Sequence, residues 1–62
     1  MKKVKIEIVT EHAAFGDDDR AKITETAYIL RRLADQLEEG LMPQFLRDTN
    51  GNKCGTVKYV RK

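Results

Sequence analysis

Apolar and charged residues alternate at the start of the chain. Val4, Ile6 and Ile8 occupy the even positions, and charged side chains lie between them. A period of two, in a segment rich in β-branched residues, predicts a half-buried strand over residues 3–9. We expect the three apolar side chains to face the core and the charged ones to face solvent.

A second pattern, with the period of an α-helix, covers residues 23–39. Apolar residues recur there every three or four positions and predict one core-facing stripe. The stripe consists of Ile23, Ala27, Leu30, Ala34, Leu37 and Leu41, widened on one flank by Ile29 and Leu33. The acidic run 17–19 predicts a capped helix start, and Gly40 with Pro43 predicts the end.

The last third of the chain predicts a hairpin with strands at 45–49 and 53–60. Asn50-Gly51 favours a two-residue type I′ turn, in which Asp48 faces Lys53 as a cross-strand ion pair. A three-residue turn with Gly51 at a bulge position is the alternative register.

The return strand has its own predicted irregularity. Val57 and Tyr59 share one face and are expected in the core, as is Phe45 on the preceding strand. Cys54 faces the other way unless a bulge at Gly55 resets the alternation, and we expect that bulge.

These elements predict an α+β fold of order β-α-β-β, with one helix packed on one face of a three-stranded, mainly antiparallel sheet. The third strand lacks the charges typical of a sheet edge, so we place it in the centre and obtain the order 1-3-2. The order 1-2-3, with a parallel first pair, is the alternative. Residues 1–62 form a single domain whose core is small, and a homo-oligomer, most simply a homodimer, is therefore expected.

The net charge of +2 is unevenly distributed. Residues 11–44 carry eight acidic against four basic side chains, whereas both strand segments are basic. Lys3, Lys5 and Lys58 are predicted to share the sheet face away from the helix. A basic sheet face indicates nucleic-acid binding as one function, although the aromatic residues needed for stacking are here expected in the core.

The sequence offers little to catalysis or to metal binding. His12 and Cys54 are each unique, which excludes a closed zinc site, and Cys54 is more typical of a small buried thiol than of a nucleophile. The acidic run 17–19 fits a helix start, and residues 48–52 lack the rest of a calcium loop. We therefore predict no enzyme activity, no cofactor and no metal. The lone cysteine, with no signal peptide or membrane span, favours the cytoplasm.

The solvent side of the predicted helix presents a patch made of Tyr28, Arg31, Arg32 and Asp35. Tyr and Arg are enriched where protein interfaces gain most of their binding energy. This patch is accordingly one of two candidate binding surfaces, the other being the lysine-bearing sheet face.

Four stretches together resemble a group of small phage- and prophage-encoded proteins. They are Ile6–Ile8, Ala13–Phe15, Ile29–Asp35 and Leu46–Gly55, and the resemblance that they carry spans most of the chain, from residue 6 to residue 55. The likeness is one of strand, helix and hairpin, and it brings no functional residue with it. It implies a phage-type accessory protein in a bacterial host, which binds a host protein or complex, including a component of anti-phage defence. The alternatives are the nucleic-acid-binding module and an oligomer that sequesters a small anionic ligand.

Overall fold

The computed structural model describes all of residues 1–62. Its elements are β1 (Lys3–Ile8), a 3-10 turn (Ala13–Phe15), α1 (Asp19–Glu38), β2 (Phe45–Arg47) and β3 (Lys53–Val60). β3 lies in the centre of the sheet and is antiparallel to both neighbours, which gives the order β1-β3-β2. The predicted α+β architecture and the preferred strand order are confirmed.

Both ends of α1 follow the local sequence signals. Asp18 is the N-cap, and its Oδ1 accepts a hydrogen bond from the Ala21 N–H at 2.7 Å. The helix therefore begins at Asp19, at the acidic run that predicted its capped start and four residues before the apolar pattern begins. At the other end Gly40, with φ +87°, and Leu41 donate their N–H groups to carbonyls of the last turn. These bonds satisfy carbonyls that the helix itself leaves free.

The core is formed by six buried apolar side chains from the 3-10 turn, α1, β2 and β3. They are Phe15, Ile29, Leu33, Leu46, Cys54 and Val57. Tyr59 packs against this cluster half-buried, and its hydroxyl donates to the Pro43 carbonyl at 2.8 Å. The expectation that Val57 and Tyr59 face the core is thus confirmed.

Cys54 enters the core through a bulge in β3. Leu46 lies opposite Gly55, but the next residue of β2, Arg47, lies opposite Lys53. Cys54 is the extra residue between these two pairs, so the side-chain alternation is reset at this point. The predicted bulge is confirmed, and it brings the Cys54 and Val57 side chains to the same side of the sheet.

The predicted buried face of the helix is wrong. α1 buries Glu25, Ile29 and Leu33, whereas Leu30 and Leu37 are exposed. The other members of the predicted stripe are exposed or only partly buried: Ile23, Ala27, Ala34 and Leu41. Apolar residues occupy nearly half of the helix circumference at about 100° per residue. The small sheet covers one sector of that arc, and Ile29 and Leu33, expected only at its flank, lie at the centre.

The apolar face of β1 is also less covered than expected. Val4 and Ile6 lie opposite Tyr59 and Val57, so they are on the helix side of the sheet. Both remain exposed, and only Ile8 packs against the core. The reason is the position of α1, whose backbone approaches β2 and whose buried side chains pack with those of β2 and β3, which leaves the β1 side open.

The hairpin has the alternative register. Asp48 N donates to the Asn52 carbonyl at 2.9 Å, which leaves the three-residue loop 49–51 between them. Gly51 has φ +82° and Asn50 does not have positive φ, although a type I′ turn requires it at both positions. The predicted ion pair with Lys53 is therefore wrong, and the Asp48 carboxylate is buried instead.

Candidate functional site

The sheet face opposite α1 carries most of the basic side chains of the strands. Because neighbouring residues of a strand point to opposite faces, the burial of Leu46 and Val57 on the helix side fixes which residues lie on the other. We call that other side the basic face. Its members are Lys3, Lys5 and Glu7 from β1, Phe45 and Arg47 from β2, and Lys53, Thr56, Lys58 and Val60 from β3.

The centre of the basic face holds two like charges side by side. Lys5 of β1 lies directly opposite Lys58 of β3. Directly opposed like charges destabilise an antiparallel sheet, because their side chains start only about 5 Å apart. Glu7 is the only acidic residue among five basic ones on this face. The arrangement produces a positive potential that a bound anion would relieve.

Phe45 lies on the basic face, and the prediction that it faces the core is wrong. Its side chain is 51% exposed, because the next residue, Leu46, takes the core position in β2. The ammonium group of Lys53 lies 4.0 Å from the centroid of the Phe45 ring. An exposed aromatic ring beside lysines is the combination that single-stranded nucleic acids bind, with the ring stacking on a base and the cations contacting phosphates.

The Phe45–Lys53 contact also limits how a base approaches. A cation over the face of an aromatic ring is attracted by its quadrupole, by about 0.5–1 kcal/mol at an exposed site. A base must therefore stack on the opposite ring face, or else Lys53 must leave the ring for a phosphate. The second route exchanges a weak contact for a charge-assisted hydrogen bond, which is roughly twice as strong as a neutral one.

The helical patch predicted from the sequence is only partly exposed to solvent. Tyr28 is half-buried and packs against the core, while Arg31, Arg32 and Asp35 are exposed. The Arg32 guanidinium lies 5.8 Å from the centroid of the Tyr28 ring. The patch and the basic face are on different layers of the molecule, so the structure does not bring the two predicted surfaces together.

Cys54 has the environment of a structural thiol. Burial, and secondly the negative charges of Asp48 and Glu25, raise the pKa of Cys54 above its ordinary value of 9.0. A raised pKa reduces the thiolate fraction at neutral pH and makes the thiol a weaker nucleophile. This environment agrees with the buried thiol that the sequence favours.

Sequence reasoning missed two buried carboxylates, Glu25 and Asp48. Asp48 Oδ1 accepts the N–H groups of Asn50 and Asn52, both at 3.0 Å, and so closes the hairpin loop. Glu25 Oε2 accepts the Thr49 N–H at 2.8 Å, which ties that loop to the helix. Glu25 lies four residues before Ile29 on the same helical face, so its burial could have been predicted once Ile29 was placed in the core. No group of three or more His, Cys, Asp or Glu side chains converges as a metal site does.

Comparisons with protein-family models, with curated proteins and with solved structures find no match for this chain. The resemblance to small phage proteins therefore stays a prediction. α1 is too polar to be a candidate for crossing a lipid bilayer.

Proposed function

We propose that the protein binds single-stranded nucleic acid on its basic face. The observation that carries this proposal is the exposed Phe45 ring among basic side chains. A solvated lysine face explains Lys3, Lys5 and Lys58 equally well as a defence against aggregation. It does not explain why a large aromatic residue lies among them, since the half-exposed Phe45 forgoes roughly half of the 1.5–3 kcal/mol that full burial of such a side chain contributes.

The opposed pair Lys5 and Lys58 supports the proposal from the electrostatic side. A phosphate between two ammonium groups turns their mutual repulsion into two attractions, and it releases the counterions condensed on the nucleic acid. Single strands fit this face better than a duplex does, because their bases can turn outward and stack on Phe45. The expected preference is for length and flexibility of the strand rather than for its sequence.

Fluorescence anisotropy with a labelled oligothymidylate of about ten nucleotides tests the proposal. Phe45→Ala should weaken binding by roughly 5- to 150-fold, the equivalent of about 1–3 kcal/mol for one stacked base. Phe45→Tyr, which keeps the ring, should bind nearly as well as the wild type. Equal affinity of the wild type and Phe45→Ala would show that no base stacks on Phe45.

Salt dependence tests the charges separately. Removing Lys5 and Lys58 together, as serines, should make the slope of log K against log salt less negative by about 1.4, or 0.7 per lost phosphate contact. Arg31→Ser, which removes an exposed cation from the helix, is the matched control and should leave the slope unchanged. Wild-type binding that does not fall with salt contradicts the proposal.

A second candidate function is the binding of a host protein through the helical patch. The neighbouring Tyr28 ring and Arg32 guanidinium, 5.8 Å apart, favour it, because Tyr and Arg are enriched among the residues that dominate binding. Tyr28→Ala combined with Arg32→Glu should abolish capture of the host protein while the far-UV spectrum stays native. Undiminished capture by this variant excludes the patch.

Both candidates are non-catalytic, and both belong in the cytoplasm of a bacterial host, the compartment that the unpaired Cys54 favours. The two are separable in one experiment. Capture from a host lysate should be lost on nuclease treatment if the basic face is responsible, and should persist if the helical patch binds a protein directly.

A further inference from the structure

β1 presents an unpaired edge. It forms one side of the sheet, and its inner hydrogen bonds go to β3. Val9 N donates to the Cys54 carbonyl at 2.7 Å in continuation of the β1–β3 register, so the odd-numbered residues of this strand point their N–H and C=O groups inward. The backbone groups of Val4, Ile6 and Ile8 therefore point away from the sheet. They form a ready template for another strand.

The side chains of the same residues are also uncovered. Val4 and Ile6 are 42% and 45% exposed on the helix side of the sheet. The neighbouring flank of α1 is uncovered too, with Leu30 and Leu37 exposed by 40% and 39%. That flank is on the β1 side, since Leu30 lines one surface groove together with Lys22 and with Thr10, the residue just beyond β1. The Lys22 ammonium group donates to the Thr10 carbonyl at 2.6 Å in the same groove. An open apolar corner thus lies directly above the unpaired edge.

We infer that the edge of β1 pairs with the same edge of a second copy, antiparallel, on a two-fold axis through Ile6. Within β1, only the even-numbered residues have outward hydrogen-bonding groups, so only registers that pair even with even residues are allowed. With the axis at Ile6, Lys5 of each chain lies opposite the partner's Glu7, which forms two opposite-charge pairs. Val4 of each chain then lies opposite the partner's Ile8.

The neighbouring registers are excluded by charge. Moving the axis to residue 5 places Lys5 against the partner's Lys5, and moving it to residue 7 places Glu7 against the partner's Glu7. Each of these opposes identical charges at the centre of the interface, which destabilises the pairing. Of the three central registers, β1 is therefore complementary to itself only in the one with the axis at Ile6. This complementarity commits the edge to a second copy rather than to a strand of another protein.

The pairing joins two sheets into one of six strands. A two-fold axis perpendicular to the sheet leaves both helices on one face and both basic faces on the other. The apolar corners of the two copies meet over a continuous floor of β1 side chains, and the Lys5–Lys58 groups of both copies lie next to each other. The inference does not depend on nucleic-acid binding, and it is tested without nucleic acid.

Charge exchange in β1 tests the interface by sedimentation equilibrium. The wild type should have twice the monomer mass of 7.1 kDa. Lys5→Glu alone and Glu7→Lys alone each place like charges opposite at both sites and should raise the dimer dissociation constant at least about tenfold. The double variant, and an equal mixture of the two single variants, should both dimerise again. Far-UV spectra confirm that each exposed substitution leaves the fold intact.

Amide hydrogen exchange gives a second readout on the unmodified protein. The amides of Val4, Ile6 and Ile8 should exchange more slowly as protein concentration rises, while those of Lys5 and Glu7, already bonded to β3, should not change. A wild type that sediments as a monomer at the highest concentration measured, or single variants that dimerise as the wild type does, would overturn the inference. The inference would also be overturned if Leu30→Glu dissociated the dimer and Lys5→Glu did not, because the dimer interface would then be formed by the helix.

Discussion

The buried carboxylate of Asp48 makes the sharpest prediction about the stability of this protein. Asp48 is 1% exposed, and its Oδ1 accepts the N–H groups of Asn50 and Asn52 at 3.0 Å each. These two bonds close the three-residue loop from inside. Asp48→Ala deletes both of them without adding any bulk, so the change in the free energy of unfolding reports on the bonds themselves.

The magnitude follows from the surroundings of each atom. Two hydrogen bonds to a charged group contribute about 1.5 kcal/mol each at the lower end of their range, or about 3 kcal/mol together. Asn50 and Asn52 are exposed, so water replaces part of this. The second oxygen, Oδ2, is buried and has no hydrogen-bond partner, so its removal ends an unfavourable desolvation and offsets part of the loss of stability. We therefore expect Asp48→Ala to lower the free energy of unfolding by about 2 kcal/mol.

A loss of that size is easily measured, because a chain of this length has only about 3–9 kcal/mol of stability in total. Urea denaturation followed by far-UV circular dichroism, with all variants at one protein concentration, gives the difference directly. The thermal midpoint should fall by about 8–16 °C.

Asp48→Asn is the matched control. It keeps an acceptor at Oδ1 and replaces the partnerless Oδ2 with an uncharged amide group, whose burial costs less than that of a charge. It should therefore retain more than half of the stability that Asp48→Ala loses. Asp48→Ala within about 0.5 kcal/mol of the wild type would show that the loop does not depend on these bonds. If Asn proved as damaging as Ala, the charge rather than the acceptor would be responsible.

Three further predictions concern the core, the strand contact and the thiol. Leu33→Ala should cost about 2–5 kcal/mol by leaving a cavity, whereas Leu30→Ala should cost less than about 1 kcal/mol; equal losses in urea melts would contradict the observed orientation of α1. Gly55→Ala should lower the stability more than Gly51→Ala does. A Cβ at Gly55 overlaps the backbone of β1, whereas a Cβ at Gly51 meets no atom within 4 Å and is opposed only by the positive φ of that residue. Equal thermal midpoints of the two variants would argue against the close approach of Gly55 to β1. The pKa of Cys54 is raised in the folded protein, so the unfolded thiol ionises first and the free energy of unfolding should fall as the pH rises above 9.0. Cys54→Ala should lose less stability over that range. Parallel stability curves for the two proteins would count against the raised pKa.

The sequence determined the features that depend on neighbours along the chain. Helix α1 is bounded by Asp18 and Gly40, whose side-chain and backbone properties act within one turn. The alternation in β1 and the bulge that admits Cys54 to the core follow from the period of two and a local glycine. The sheet order was predicted as well, because the third strand is the more apolar of the last two and was therefore placed in the centre. For the basic face, the positions of Lys3, Lys5 and Lys58 were already determined by that alternation.

The tertiary structure decided which surface each element buries. The apolar arc of α1 is wider than the small sheet, so periodicity allowed several orientations of the helix. In the orientation observed, Glu25 contacts the hairpin loop. Phe45 lies on the basic face because Leu46 takes the neighbouring core position, a choice between adjacent apolar residues that the β2 pattern leaves open. The loop register likewise depends on the burial of Asp48. Each outcome is set by contacts between segments far apart in the chain, and a periodic pattern within one segment carries no information about them.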